Sequence, residues 1–235
     1  LNEEGRLKLS RFIGYYGAEG SRVIRDKKVQ ALDININKYE QLYQDDIVEI
    51  CKFLFGKKPY IYPKKNTNAL NLRLWSPEIC PILYSMCPGI IHREKSKKYD
   101  ASVFSLENKY IVELLRGFND GDGHCDSSHS IVINSSCPGL ITQIYYLMVK
   151  IGSSPSMGSY LSCGGPLMRH KTAMMHRIGL GVSQIKELSN AGVKFSQAAE
   201  KQVEYSKLTN IFTEDGLYAK HTLYGIDEVS YDDYW

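Results

Sequence analysis

Two stretches, Leu9–Gly20 (LSRFIGYYGAEG) and Leu114–Gly123 (LLRGFNDGDG), decide how the rest of the chain is read. Each is an apolar, helix-like segment that closes with a small residue, an acid and a glycine. Aligning the acids sets Glu19 on Asp122, 103 positions later. Gly14 and Gly17 in the first stretch, and Gly117 and Gly121 in the second, carry no side chain, so two helices bearing them can approach almost backbone to backbone.

The parallel continues beyond each acid. After Glu19 come strand-like runs at 22–25 and 30–37, rich in Val and Ile alternating with polar residues, and after Asp122 comes HSIVIN at 129–134. A helix is then predicted over 39–55, stopped by Gly56, and over 138–151, stopped by Gly152. Strand pairs come next, at 59–63 with 68–75 and at 156–162 with 171–178, and further helices open after Ser76-Pro77 and near Val182-Ser183. The order is αββαββα, done twice. The predicted fold class is α/β in the α+β sense, with units at 1–100 and 101–206 and an extension at 207–235 outside the duplication. Such a unit packs helices on one sheet face and leaves the other free for a ligand. Two of them side by side form a saddle with pseudo-twofold symmetry.

Composition narrows the function classes. The 235 residues are enough to bury a sizeable core, and no apolar run approaches the roughly 20 residues of a bilayer span, so a cytoplasmic protein is expected. The six cysteines form no C-x-x-C pair; they read as buried thiols, with a soft-metal cluster of His124, Cys125, Asp126 and His129 as the alternative. Net charge is only +3, but its distribution is uneven. No acid stands between Ser127 and Lys186 or between Glu49 and Glu78, while both stretches carry Lys and Arg. Phosphate contacts need cations without competing carboxylates, so a polyanion partner is implied.

With FIGYYGAEG at 12–20 and LRGFNDGDG at 115–123, the chain resembles the LAGLIDADG homing endonucleases, in the dodecapeptide form found within inteins. The resemblance implies a DNA-binding saddle on which a monomer cuts a long asymmetric double-stranded target. It sets Gly14 and Gly17 against Gly117 and Gly121 in the seam and brings Glu19 and Asp122 together at the symmetry axis. Two carboxylates so placed repel unless a hard cation lies between them, which makes them ligands for Mg2+ or Mn2+, two or three ions in all. The backbone carbonyls of Ala18 and Gly121 are further candidate ligands. Gly20 and Gly123 are expected to let the chain turn sharply into the next strand.

The family also carries a lysine at each active site. The best matches are Lys97, 78 positions after Glu19, and Lys201, 79 positions after Asp122, with Lys95 and Lys98 as alternatives to Lys97. Asp100 stands where the family commonly has proline, Gly17 replaces the inner Asp of the motif, and Asp120 keeps it. DNA-reading residues are expected on the strands, where alternate side chains face the groove. The candidates are Arg22, Arg25, Lys27, Gln30, Asn35, Asn37, Asn71 and Arg73 in the first unit, and Ser130, Asn134, Ser159, Arg169, Lys171 and Arg177 in the second.

The tail, GLYAKHTLYGIDEVSYDDYW at 216–235, resembles the sequence leading into an intein's carboxy-terminal splicing module. The terminal His-Asn and the leading Cys or Ser of splicing are not at the ends, so splicing is not expected. Two other functions compete with cleavage of DNA. One is a catalytically silent nucleic-acid-binding protein of the same fold, either maturase-like or a regulator. The other is an unrelated metal-dependent phosphoesterase, which the scattered histidines disfavour.

Overall fold

Asn2 starts the first helix by accepting the Gly5 amide at 2.9 Å, and Glu3 and Glu4 add negative charge where the helix dipole favours it. The computed structural model that shows this describes residues 1–65, 67–89, 95–125, 130–163 and 172–195. The chain divides into two compact units, Leu1–Gln202 and Val203–Trp235, and all described residues belong to the first. The predicted extension at 207–235 lies outside the described residues. No helix among them is long and apolar enough to cross a membrane.

The first half runs α1 (Glu3–Glu19), β1 (Gly20–Arg25), β2 (Lys28–Asn37), α2 (Gln41–Phe55), β3 (Tyr60–Pro63), β4 (Ala69–Trp75) and α3 (Cys80–Met86). A short 3-10 helix, Ala101–Ser105, leads into the second half: α4 (Asn108–Asp122), β5 (Gly123–Cys125), β6 (Ile131–Ser135), α5 (Pro138–Lys150), β7 (Ser156–Cys163), β8 (Thr172–Leu180) and α6 (Val182–Asn190). The repeated αββαββα order is thus present. The strands form two four-stranded antiparallel sheets of identical plan, β1-β2-β4-β3 and β5-β6-β8-β7.

The registers match as well. Gly20 pairs with Ile34, Ile34 with Leu72 and Leu72 with Ile61; Gly123 pairs with Ile133, Ile133 with Ile178 and Ile178 with Met157. Leu32, Ile34 and Ile36 alternate along β2 into the helical layer, and Ile131 and Ile133 do so on β6. Both layers join one hydrophobic core, in which each large side chain taken fully out of water contributes roughly 1.5–3 kcal/mol. Cys51, Cys80, Cys87 and Cys137 are buried thiols within that core.

α1 and α4 pack on each other more extensively than any other helix pair. A methyl added at Gly14 would stand 2.1 Å from the Leu114 carbonyl oxygen, and one added at Gly117 would stand 2.2 Å from that of Arg11. The next contact along the seam is Gly121 against Ala18, where an added Cβ would lie 2.7 Å from the alanine methyl. Gly17 departs from the expected seam. Its missing Cβ makes room for the buried Tyr99 ring, whose hydroxyl would be 1.9 Å away. Tyr99 is held there by Gln143 of α5, which accepts its amide at 2.7 Å and donates to its carbonyl at 2.9 Å.

Because backbone cannot yield as a flexible side chain can, Gly14→Ala should cost about 2–4 kcal/mol in urea unfolding. Gly158→Ala, where an added methyl meets nothing within 4 Å, should stay within about 0.5 kcal/mol of the parent. Equal costs would show that the seam is not close-packed.

Candidate metal site and nucleic-acid interface

The last residues of α1 and α4 are Glu19 and Asp122, and the seam delivers both to the floor of one groove of about 950 Å³. They are half-buried. Burial pushes the Glu19 carboxyl up to about 7, with Lys97 opposing the shift and Glu40 adding to it. Burial, followed by the charge of Glu19, pushes Asp122 up to about 8, again opposed by Lys97. Each carboxylate is therefore held where its charge is poorly solvated, and Asp122 is repelled by Glu19 as well, a situation that a cation relieves.

The donor set fits a hard divalent ion shared with a ligand. Among the described residues no three His, Cys, Asp or Glu side chains cluster to hold a metal alone. One or two carboxylates completed by phosphate oxygens and water is how Mg2+ is commonly held. Ala18 and Gly121 lie in the last helical turns, where carbonyls lack intrahelical donors. The soft-metal alternative around His124 involves Asp126 and His129, which lie outside the described residues.

Gly20 and Gly123 come directly after the acids in extended conformation, at φ −82° and −80°, so the expected sharp glycine turn is not what they provide. Space is the reason instead. A Cβ at Gly20 would sit 2.2 Å from the Tyr16 ring, and one at Gly123 would sit 2.2 Å from Asn119 Oδ1.

Lys97 is only 1% exposed and lies beneath α1. Its Nζ donates to the carbonyls of Tyr16 and of Gly20, the latter at 2.6 Å, and stands 4.4 Å from the Tyr16 ring centroid. Burial brings its pKa down to about 8, against the upward pull of Cys87, Glu19 and Asp122. It reinforces the end of α1, where the Tyr16 carbonyl also accepts the Gly20 amide, and supplies positive potential under the acids. Of the two alternatives, Lys95 lines the groove and Lys98 is exposed. Lys201 lies outside the described residues.

The groove face of the first sheet carries Asn35, Asn71 and Arg73. Asn35 Nδ2 donates to the Glu19 carbonyl at 3.1 Å, tying β2 to the end of α1. Arg73 pairs with Asp33, and Asn71 stands opposite Asn35. Arg22 also lines the groove; opposite Leu32, its guanidinium donates to the Tyr84 hydroxyl and lies 4.8 Å over that ring. Gln30 is the residue passed over where the β1–β2 register goes from Val23–Ala31 to Ile24–Val29, and its carbonyl accepts the Ser76 amide. Arg25 ends β1 and Lys27 lies in the exposed β1–β2 turn, and the Asn37 carboxamide oxygen accepts the Tyr39 amide.

In the second sheet Asn134 and Arg177 face each other across β6 and β8, and Tyr160 donates to Asn134 Oδ1 at 3.2 Å. Ser130 precedes β6 and is half-buried, and Ser159 is engaged with His176 at 2.8 Å. Arg169 and Lys171 lie outside the described residues. Ser21, Asp33, Tyr62, Lys64 and Met175 also line the groove, although no motif marks them. Alternation from Asn35 is the one sequence signal that points to Asp33.

No protein-family model matches the sequence, and no curated protein matches it. Solved structures do. The chain is similar to mesophilic variants of the homing endonuclease I-DmoI, with a TM-score of 0.56, 11% identity, and coverage of 80% of this chain and 97% of that one. It is similar to I-DmoI in complex with DNA and Mn, with a TM-score of 0.54, 12% identity, and coverage of 81% and 99%. The N-terminal LAGLIDADG domain of DUF199/WhiA gives a TM-score of 0.54, 11% identity, and coverage of 82% and 84%. The fold is the LAGLIDADG fold, helices and antiparallel sheets in two repeated units.

The raised carboxyls set a pH dependence. From about pH 4 to 8 the unfolded chain has lost protons that the folded site still holds, so stability conferred by the pair falls as pH rises. Asp122→Asn removes one of these groups. Its Tm should exceed the parent's by more at pH 8 than at pH 5, at roughly 2–4 °C per kcal/mol relieved, and added Mg2+ should narrow the gap. A gap independent of pH would mean that the carboxyls are ordinarily solvated.

Proposed function

We propose that this chain, with a LAGLIDADG fold as the starting point, is a site-specific endonuclease making double-strand breaks in DNA by metal-dependent phosphodiester hydrolysis. The observation that carries this reading is the meeting of Glu19 and Asp122 on the floor of a groove faced with amides and cations. That I-DmoI has been crystallised with DNA and Mn supports it. One chain supplies both acids, so the working form is a monomer and the target is long and unsymmetric. An origin within an intein rests only on the sequence resemblance at the motifs, the lysine run and the tail.

Glu19 and Asp122 would hold a divalent ion, which would supply Lewis-acid polarisation of the phosphodiester and activation of water. The rest is done by the chain. Asn35 fixes the backbone of Glu19, and Lys97 locks the end of α1, so the first carboxylate is placed before any ligand arrives. The carbonyls of Ala18 and Gly121 are proposed as accessory ligands, and Lys201 as the second unit's counterpart of Lys97. Amides and cations of both sheets, Asn35, Asn71, Arg73, Asn134 and Arg177 among them, face the duplex.

A second reading is specific DNA binding without cleavage. The likeness to the WhiA domain favours it, since the fold is not confined to structures described as endonucleases. Incubation with Mg2+ and a plasmid library of random inserts separates the two. The endonuclease reading expects discrete double-strand cuts that slow by roughly 100-fold or more in Glu19→Gln or Asp122→Asn, with binding in Ca2+ retained. Specific binding with no cut in Mg2+ or Mn2+ supports the silent binder.

A further inference from the structure

If the chain binds DNA as proposed, the first sheet singles out one side chain as the reader of a particular base. Arg73 stands opposite Asp33 on β2 and Tyr60 on β3, which places it on the groove face. Its Nε and Nη2 each donate to an Asp33 carboxylate oxygen at 2.7 Å. The guanidinium lies 5.0 Å over the Tyr62 ring, and the Tyr62 hydroxyl donates to the same carboxylate at 3.3 Å.

Asp33 is 7% exposed, so this brace is set within the sheet. Tied along its Nε–Nη2 edge, the arginine is fixed before a ligand arrives and keeps its Nη1–Nη2 edge outside the ion pair. Asp33 also balances the charge, which weakens a plain phosphate attraction, whereas a fixed two-donor fork suits two adjacent acceptors. In the major groove that pair is guanine O6 and N7. We infer that Arg73, braced by Asp33 and Tyr62, selects a guanine in the half of the target lying on the first sheet.

Among its described residues the second sheet has no such reader. By the matched registers, Val132, Gly179 and Gly158 occupy the places of Asp33, Arg73 and Tyr62. Arg177 is displaced by two register positions, opposite Asn134, and among the described residues no carboxylate pairs with it. The guanine requirement therefore falls on one side of the target.

The test is selection of random duplexes by the full chain in Ca2+, and sequencing of those retained. The parent should enrich one guanine without a symmetric counterpart. Arg73→Lys, which keeps the charge but not the fork, should lose that preference by roughly 10- to 100-fold at that position alone. Asp33→Asn should blur the same position, with circular dichroism confirming a folded chain. An unchanged preference in Arg73→Lys, or an even loss of affinity at every position in Arg73→Ala, overturns the inference while leaving DNA binding intact. Enrichment of no sequence by the parent overturns the DNA-binding reading, and this one with it.

Discussion

The site depends on one contact, the backbone of α1 against the backbone of α4 at Gly14 and Gly117. Nonbonded carbon atoms settle at about 3.5–4.0 Å, and a methyl at Gly14 would meet a carbonyl oxygen at 2.1 Å. Any side chain there must part the helices by more than an ångström. Glu19 and Asp122 are the last residues of those helices, so the seam sets how closely the two carboxylates stand. Sheets, groove and core are arranged around that separation.

Once the helix ends are so close, electrostatics is dictated by geometry. Each carboxyl is raised by burial, and Asp122 is raised further by Glu19. The protein answers with Lys97, but from beneath the helix end, where it is spent on backbone carbonyls. The side of the acids that faces the groove is left to a ligand. Asn35 reinforces the arrangement by joining β2 to the backbone of the acid.

Much of this is legible in the sequence, for identifiable reasons. Period-2 and period-3.6 patterns return after a fixed offset, and the acids sit at equivalent places in both copies. Register is less legible. A run such as ALDININ at 31–37 does not announce which parity faces the helices, and nothing local to Arg22 announces that its guanidinium meets Tyr84 of α3. Gly17 reads as a seam residue because helical spacing alone cannot exclude it, and its neighbour Tyr99 comes from a distant stretch. Spacing picks out Lys97, yet a lysine-rich stretch gives no sign that one member is buried while Lys95 and Lys98 stay exposed. Asp33 and Tyr62 escape a linear reading because pairing partners, rather than neighbours in sequence, make them a brace for Arg73.

The pairing of Ala18 with Gly121 bears on how such a chain can be rearranged. In a self-associated copy of the first half, alanine would face alanine, with methyl carbons near the 2.7 Å at which a Cβ on Gly121 would meet Ala18. Two second halves would instead oppose glycine to glycine and leave a gap. Each half thus fits its unlike mate better than its own twin. Swapping halves between related proteins is therefore directional: an exchanged segment must bring the smaller residue to whichever side lacks it.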